Sequence, residues 1–161
     1  MSLIVLKTII NAPVEVCFDL SRSIELHQIS TQKSKEHVVG GRMSGLIGLH
    51  ETVTWKARHF GVWMQLTSKI TEYNAPVFFA DEMVKGPFKS FRHEHILEEH
   101  QGQTVMTDRF EFKSPFGLIG KGVNALILTS YMKRLLVERN RVIKKLAEDG
   151  SWRELITEFR V

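Results

Sequence analysis

The residues best placed to do chemistry lie between Phe88 and Lys113, where two alternating runs read as paired strands. On the first, Phe91, His93, His95 and Leu97 share a face; on the second, Met106, Asp108, Phe110 and Phe112 do. The apolar members must point inward, so His93, His95 and Asp108 point inward with them. A two-residue turn at Gln101-Gly102, pairing His100 with Gln103, sets Leu97 opposite Met106, His95 opposite Asp108 and His93 opposite Phe110. An imidazole held by a carboxylate is an acid–base unit, because Asp108 fixes the tautomer of His95 and raises its basicity. The same parity puts Val53, Trp55, Ala57 and His59 on one face of a strand, and Val77, Phe79, Asp81 and Met83 on one face of another. Trp55, His59, Phe79 and Asp81 therefore join the inward set.

Polar groups on a concave apolar face need partners, since an unpaired buried polar group costs about 1–3 kcal/mol. Either His93, His95, Asp81 and Asp108 bond to one another and to backbone, or a cavity supplies water or a ligand. His93-x-His95 can present two imidazoles on one face, but no further ligand spacing accompanies it, so neither metal nor cofactor is expected. No Ser or Cys occupies a nucleophile elbow, and no glycine-rich loop is spaced for phosphate. Cys17 is the single cysteine; within Val16-Cys17-Phe18 it reads as a buried thiol. His27, His37, His50 and His100 fall at helix, strand-edge or turn positions and read as exposed.

These side chains need a sheet to position them. Residues 3–10 form a β-branched run that stops at Asn11-Ala12-Pro13 and feeds a short helix to about Leu20. A second short helix over 23–29 has Ser23 as cap and Glu25 in its first turn. Six further strands follow at about 35–41, 51–59, 62–73, 77–85, 88–99 and 104–113, separated by glycine- and proline-bearing turns. The loop 42–50, with Gly45 and Gly48 among Leu46, Ile47 and Leu49, reads as a mobile apolar flap. A long helix spans 121–149 and ends at Gly150, its apolar stripe being Val123, Ile127, Tyr131, Leu135, Val142 and Leu146. Only this helix can cover the sheet, which makes the chain an α+β cup. In the tail 150–161, Trp152, Leu155, Ile156 and Phe159 share a helical face expected to pack on the domain formed by residues 1–149.

At 161 residues and 43% apolar content, one folded domain is expected. The net charge of +4 comes entirely from 121–149, which holds seven basic and three acidic residues. Lys133, Arg134, Arg139, Arg141, Lys144 and Lys145 could bind phosphates, but a solvated helix face explains them better, so no nucleic-acid partner is expected. No apolar run reaches the roughly 20 residues that span a bilayer, and no signal-peptide pattern opens the chain. A cytoplasmic protein without stable membrane insertion is expected.

One strand, two short helices, six strands and a long C-terminal helix resemble the helix-grip fold of the SRPBCC superfamily. That superfamily includes START lipid-transfer domains, Bet v 1-like plant proteins and polyketide cyclases or aromatases. Asn11-Ala12-Pro13-Val14-Glu15-Val16-Cys17-Phe18-Asp19 looks like its strand-to-helix opening. The stretches 53–59, 79–88, Phe91-Arg92-His93-Glu94-His95, Met106-Thr107-Asp108 and 114–120 resemble a bacterial ligand-binding subgroup, related to the N-terminal part of epimerase-fused "cell division inhibitor" proteins. The resemblance covers residues 1 to 148 and implies a cavity between sheet and long helix. Its expected lining is Trp55, His59, Phe79, Asp81, Phe91, His93, His95, Asp108, Phe110, Phe112 and Tyr131. The leading expectation is a small hydrophobic or aromatic ligand, lipid- or polyketide-like. A polyketide cyclase, aromatase or dehydratase using His95 and Asp108, with Asp81 or His93 orienting, is the alternative. A membrane-surface or protein-interaction module built on the basic helix and the tail is the third.

Overall fold

The computed structural model describes residues 1–114 and 123–156. The strand β1 (Ser2–Ile10) leads through Pro13 into helices α1 (Val14–Ser21) and α2 (Ile24–Ser30). A 3₁₀ turn at Gln32–Ser34 precedes β2 (His37–Gly41), β3 (Thr52–His59), β4 (Val62–Asn74), β5 (Phe78–Lys85), β6 (Ser90–His100) and β7 (Gln103–Lys113). The chain then forms α3 (Val123–Asp149) and a single-turn α4 (Trp152–Leu155). Ser23 caps α2 by accepting the Leu26 N–H at 3.2 Å, and Glu25 stands in its first turn.

All seven strands pair antiparallel in the order β1-β7-β6-β5-β4-β3-β2. The β6–β7 hairpin closes through Gln101 and Gly102, with φ of 53° and 80°. Two consecutive positive φ values match the right-handed twist of the strands they join. The register is therefore the one the turn dictates: His100 faces Gln103, His95 faces Asp108 and His93 faces Phe110. Phe60 and Gly61 make the same kind of turn between β3 and β4, at 50° and 79°.

The 27-residue α3 is about 40 Å long and is fastened along β1. Lys144 Nζ donates to the Ile9 carbonyl at 2.6 Å, and Glu148 accepts the Asn11 N–H at 2.8 Å. One apolar cluster joins α1, α2 and the far end of α3 to the sheet; a second gathers Ile4, Phe91, Phe110, Phe112 and Leu136. Ile156 is buried in the first cluster with Trp152 and Leu155 packed against it, while Phe159 and the segment 115–122 lie outside the described residues.

Three expectations require correction. The stripe on α3 is displaced by one residue: Ile127 is exposed, and the buried positions are Leu136, Arg139, Asn140, Ile143 and Ala147. The loop 42–50 is no free flap, since Gly45 and Ile47 hydrogen-bond to Glu25, Ile24 and Arg22 while Leu46 and Ile47 are buried. Val77 is not on the inner face of β5; it closes the preceding turn, with its N–H on the Asn74 carbonyl, and is exposed.

Candidate functional site

A cavity of about 380 Å³ lies between the concave face of the sheet and α3. Every sequence-derived site residue except Asp108 and Phe112 lines it: Trp55 and His59 on β3, Phe79 and Asp81 on β5, Phe91, His93 and His95 on β6, Phe110 on β7, and Tyr131 on α3. Phe112 is buried in the apolar cluster, edge-on to Phe88 at 5.5 Å. Asp108 has no exposed surface and stands behind the two histidines.

Period-two alternation explains the grouping. Across three hydrogen-bonded strands the register pairs Asp81 with His93, and His95 with both Phe79 and Asp108. The two imidazoles lie 3.9 Å apart, and the Phe79 ring stacks on His95 at 4.0 Å. His93 Nε2 is hydrogen-bonded to Asp108 Oδ1 at 3.0 Å. His95 Nδ1 is 3.1 Å from the same oxygen but off the hydrogen-bonding angle, so that contact is electrostatic. On the other side, Asp81 Oδ1 is 3.5 Å from His95 Nε2 and 3.8 Å from His93 Nδ1.

From α3, Asn140 Nδ2 donates to Asp108 Oδ2 at 2.6 Å, and Arg139 Nη1 donates to Asp108 Oδ1 at 3.4 Å. Arg139 also donates to the Ser21 carbonyl at 2.5 Å, which ties α1 to the site. The sequence pattern puts Arg139 on a solvated basic face, yet it is only 6% exposed. Burial presses its pKa down, against the pull of the Asp108 and Asp81 charges. Burial would raise both carboxyls, but the imidazoles beside them prevail and hold Asp81 below, and Asp108 well below, the usual carboxylate range. Burial and the neighbouring His95 push His93 down to about 4, with Asp108 and Asp81 opposing. His93 is therefore neutral at pH 7. Because ionised Asp108 only accepts, the His93 proton sits on Nε2 and the Nδ1 lone pair faces Asp81.

A second polar group on the cavity wall contains the expected His59 and Tyr131 together with a His27–Glu36 pair that was not legible in the sequence. His27, expected to be exposed, stacks on Trp55 at 4.1 Å and is hydrogen-bonded through Nε2 to Glu36 at 3.1 Å. His59 Nδ1 and the Tyr131 hydroxyl are 2.7 Å apart, and Phe60 packs on the same tyrosine. Burial lowers the pKa of His59, and Glu36 opposes it. His37, His50 and His100 are exposed, as expected. The signal for Arg139 was available: Met132, Leu136, Arg139, Ile143 and Ala147 recur at three- and four-residue spacing, which puts the arginine in line with apolar residues.

This architecture is a Bet v 1-like helix-grip fold, a curved seven-stranded antiparallel sheet with a long C-terminal helix and two short helices after the first strand. The chain is similar in structure to TTHA0849 from Thermus thermophilus, with a TM-score of 0.69 and 13% identity over 88% of this chain and 97% of that one. It is also similar to ginseng major latex-like protein 151 from Panax ginseng, with a TM-score of 0.65 and 16% identity over 91% and 97%. For Ara h 8.0201 the TM-score is 0.63 and the identity 11%, over 88% and 97%. At these identities the likeness establishes the fold. No family model matches the chain, and no curated protein is significantly similar to it in sequence.

Proposed function

We propose that the chain binds a small hydrophobic or aromatic molecule, of lipid or polyketide type, in the cavity between the sheet and α3. The observation that carries this reading is the cavity itself: about 380 Å³, walled mainly by Trp55, Phe79, Phe91, Phe110, Leu128 and Met132, with Asp81, His93, His95 and Arg139 grouped on one part of the wall. An apolar chamber with a few convergent polar groups is the usual form of a small-molecule site, in which the polar groups set orientation. The helix-grip fold supports placing the chain in the SRPBCC superfamily, and the stretches quoted above support the bacterial subgroup. Among the described residues, no helix is long and apolar enough to cross a membrane.

Native mass spectrometry of the purified protein beside a denatured control tests this directly, with a copurified lipid or aromatic compound as the expected result. If delipidated protein binds no fatty acid, sterol or aromatic polyketide and displaces no neutral dye such as Nile red, the reading fails.

One observation favours a second reading, a cyclase, aromatase or dehydratase acting on a polyketide-like substrate. The imidazoles that face the cavity are backed by a buried carboxylate, the arrangement a general base requires. Unchanged turnover in His95→Ala and Asp108→Ala would remove those residues from any mechanism.

A further inference from the structure

We propose that Asp81, His93 and His95 bind one divalent transition-metal ion, of the zinc or ferrous-iron class, on the cavity wall. His93 presents Nε2 to Asp108 Oδ1 at 3.0 Å, and His95 presents Nδ1 to the same oxygen at 3.1 Å. With those nitrogens protonated, the remaining nitrogen of each ring carries a lone pair. Both lone pairs face Asp81 Oδ1, at 3.8 Å from His93 Nδ1 and 3.5 Å from His95 Nε2. Each of the three residues thus offers one donor atom, all within 4.8 Å of one another. Acceptors that converge this closely repel unless something positive sits between them. A proton relieves one pair; a divalent ion relieves all three.

The two pairs that include Asp81 suit such an ion. Bonds of about 2.0–2.2 Å at tetrahedral angles place neighbouring donors roughly 3.3–3.6 Å apart, within a few tenths of an ångström of those two separations, and the imidazole nitrogens, within 4.8 Å of each other, draw together to share it. Two imidazoles and one carboxylate favour zinc or ferrous iron over magnesium or calcium, which prefer all-oxygen sets. Asp108 stands where a metal-binding histidine commonly has a carboxylate, behind the ring, holding the proton away from the metal. Here the carboxylate hydrogen-bonds to His93 and makes an electrostatic contact with His95, and Arg139 and Asn140 hold it in place.

Charge then specifies the fourth ligand. Asp81 and Asp108 contribute −2 and Arg139 +1, so a divalent ion leaves this buried group at +1. An anionic oxygen on the cavity side restores neutrality: hydroxide, or a carboxylate, phenolate or enolate at the end of an apolar molecule. This last step rests on the cavity being the ligand site; the metal site does not.

The test titrates chelator-treated full-length protein with Zn²⁺ by calorimetry and with Co²⁺ by visible absorption. The expected result is one ion per chain, the intense visible bands of four-coordinate cobalt, loss of both signals in Asp81→Asn and His93→Gln, and unchanged binding in His100→Ala, which removes an exposed histidine outside the site. Circular dichroism confirms that each variant is folded, and Asp81→Asn, at the cavity wall, is the milder change. No cobalt bands in the wild type, or zinc binding that survives Asp81→Asn, overturns the proposal. Nile red binding to the metal-free protein separates the two readings. Dye bound with no metal response sinks the metal site alone; metal bound without dye sinks the hydrophobic-ligand reading and leaves the metal site standing.

Discussion

Asp108→Asn is nearly isosteric, yet it should be among the most damaging single changes in the chain. Asp108 has no exposed surface. Its Oδ1 faces His93 at 3.0 Å, His95 at 3.1 Å and Arg139 at 3.4 Å, while Oδ2 accepts from Asn140 at 2.6 Å. An asparagine there has one oxygen and one NH₂. If the NH₂ faces Asn140, two donors meet at hydrogen-bond distance; if it faces the other way, it meets three. In either rotamer Arg139 loses the carboxylate it pairs with, leaving only the charge of Asp81, with which it makes no ion pair. Breaking a buried pair by neutralising one partner costs about 3–5 kcal/mol. For a chain of this size each kcal/mol moves Tm by about 2–4 °C, so the expected loss is roughly 6–20 °C. Thermal and urea unfolding followed by circular dichroism measure it. The double variant Asp108→Asn/Arg139→Met, which removes both charges, should recover part of the loss, giving a strongly non-additive cycle. A Tm within about 2 °C of wild type, or simple additivity in the double variant, would refute the view that Asp108 and Arg139 form one electrostatic unit.

Ala57 is buried and lines the cavity from β3 with only a methyl group, so Ala57→Phe should fill part of the chamber. Ligand or dye affinity should fall at least about tenfold while the folded state persists, as overpacking typically costs only about 1–3 kcal/mol; unchanged dye binding would place the ligand elsewhere. Burial favours the neutral form of Glu36, but the charge and hydrogen bond of His27 prevail and hold its carboxyl below the ordinary value of 4.5. The carboxylate therefore contributes stability that is fully present above that value and is lost progressively as pH falls below it, through the lower pKa of the folded state. Glu36→Gln should destabilise at pH 7 by about 1–3 kcal/mol, and its unfolding curve should draw toward that of wild type as pH falls below 4.5. Equal offsets at both pH values would count against the assignment. Cys17 is fully buried and its pKa is raised to about 11, chiefly by burial, so a thiol reagent at pH 7.5 should leave it unlabelled until urea unfolds the chain.

How far the site could be read from the sequence depended on the kind of periodicity involved. On β6 and β7 the side chains alternate strictly, and the Gln101-Gly102 turn leaves one register, so the approach of His95 to Asp108 followed from residue types alone. On α3 the period is 3.6 and the buried face is interrupted by Arg139 and Asn140. Following only apolar residues rotated the face by one position, onto Ile127 and Val142. Polar residues in an otherwise apolar face are where a pattern search fails, and here they are also the residues that hold Asp108. The pairing of His27 with Glu36 had no periodic signal, because a short helix and the segment after a 3₁₀ turn bring it together.

The two polar groups on the cavity wall together limit what can bind. His93 and His95 sit on β6 and His59 on β3, three steps apart in the strand order, or about 14 Å across the sheet at the usual strand spacing. Aromatic and aliphatic side chains of β4, β5 and α3, among them Leu66, Ile70, Phe79, Leu128 and Met132, line the cavity between them. The first group is compact, buried and carries ionised carboxylates and a guanidinium; the second, where His59 meets Tyr131 beside exposed Phe60, opens toward solvent. A ligand that reached both would be apolar through its middle and polar at its two ends. At about 380 Å³ the chamber is near the lower limit of cavities that hold drug-sized molecules, which favours a single fused-ring or short-chain compound over a two-chain lipid.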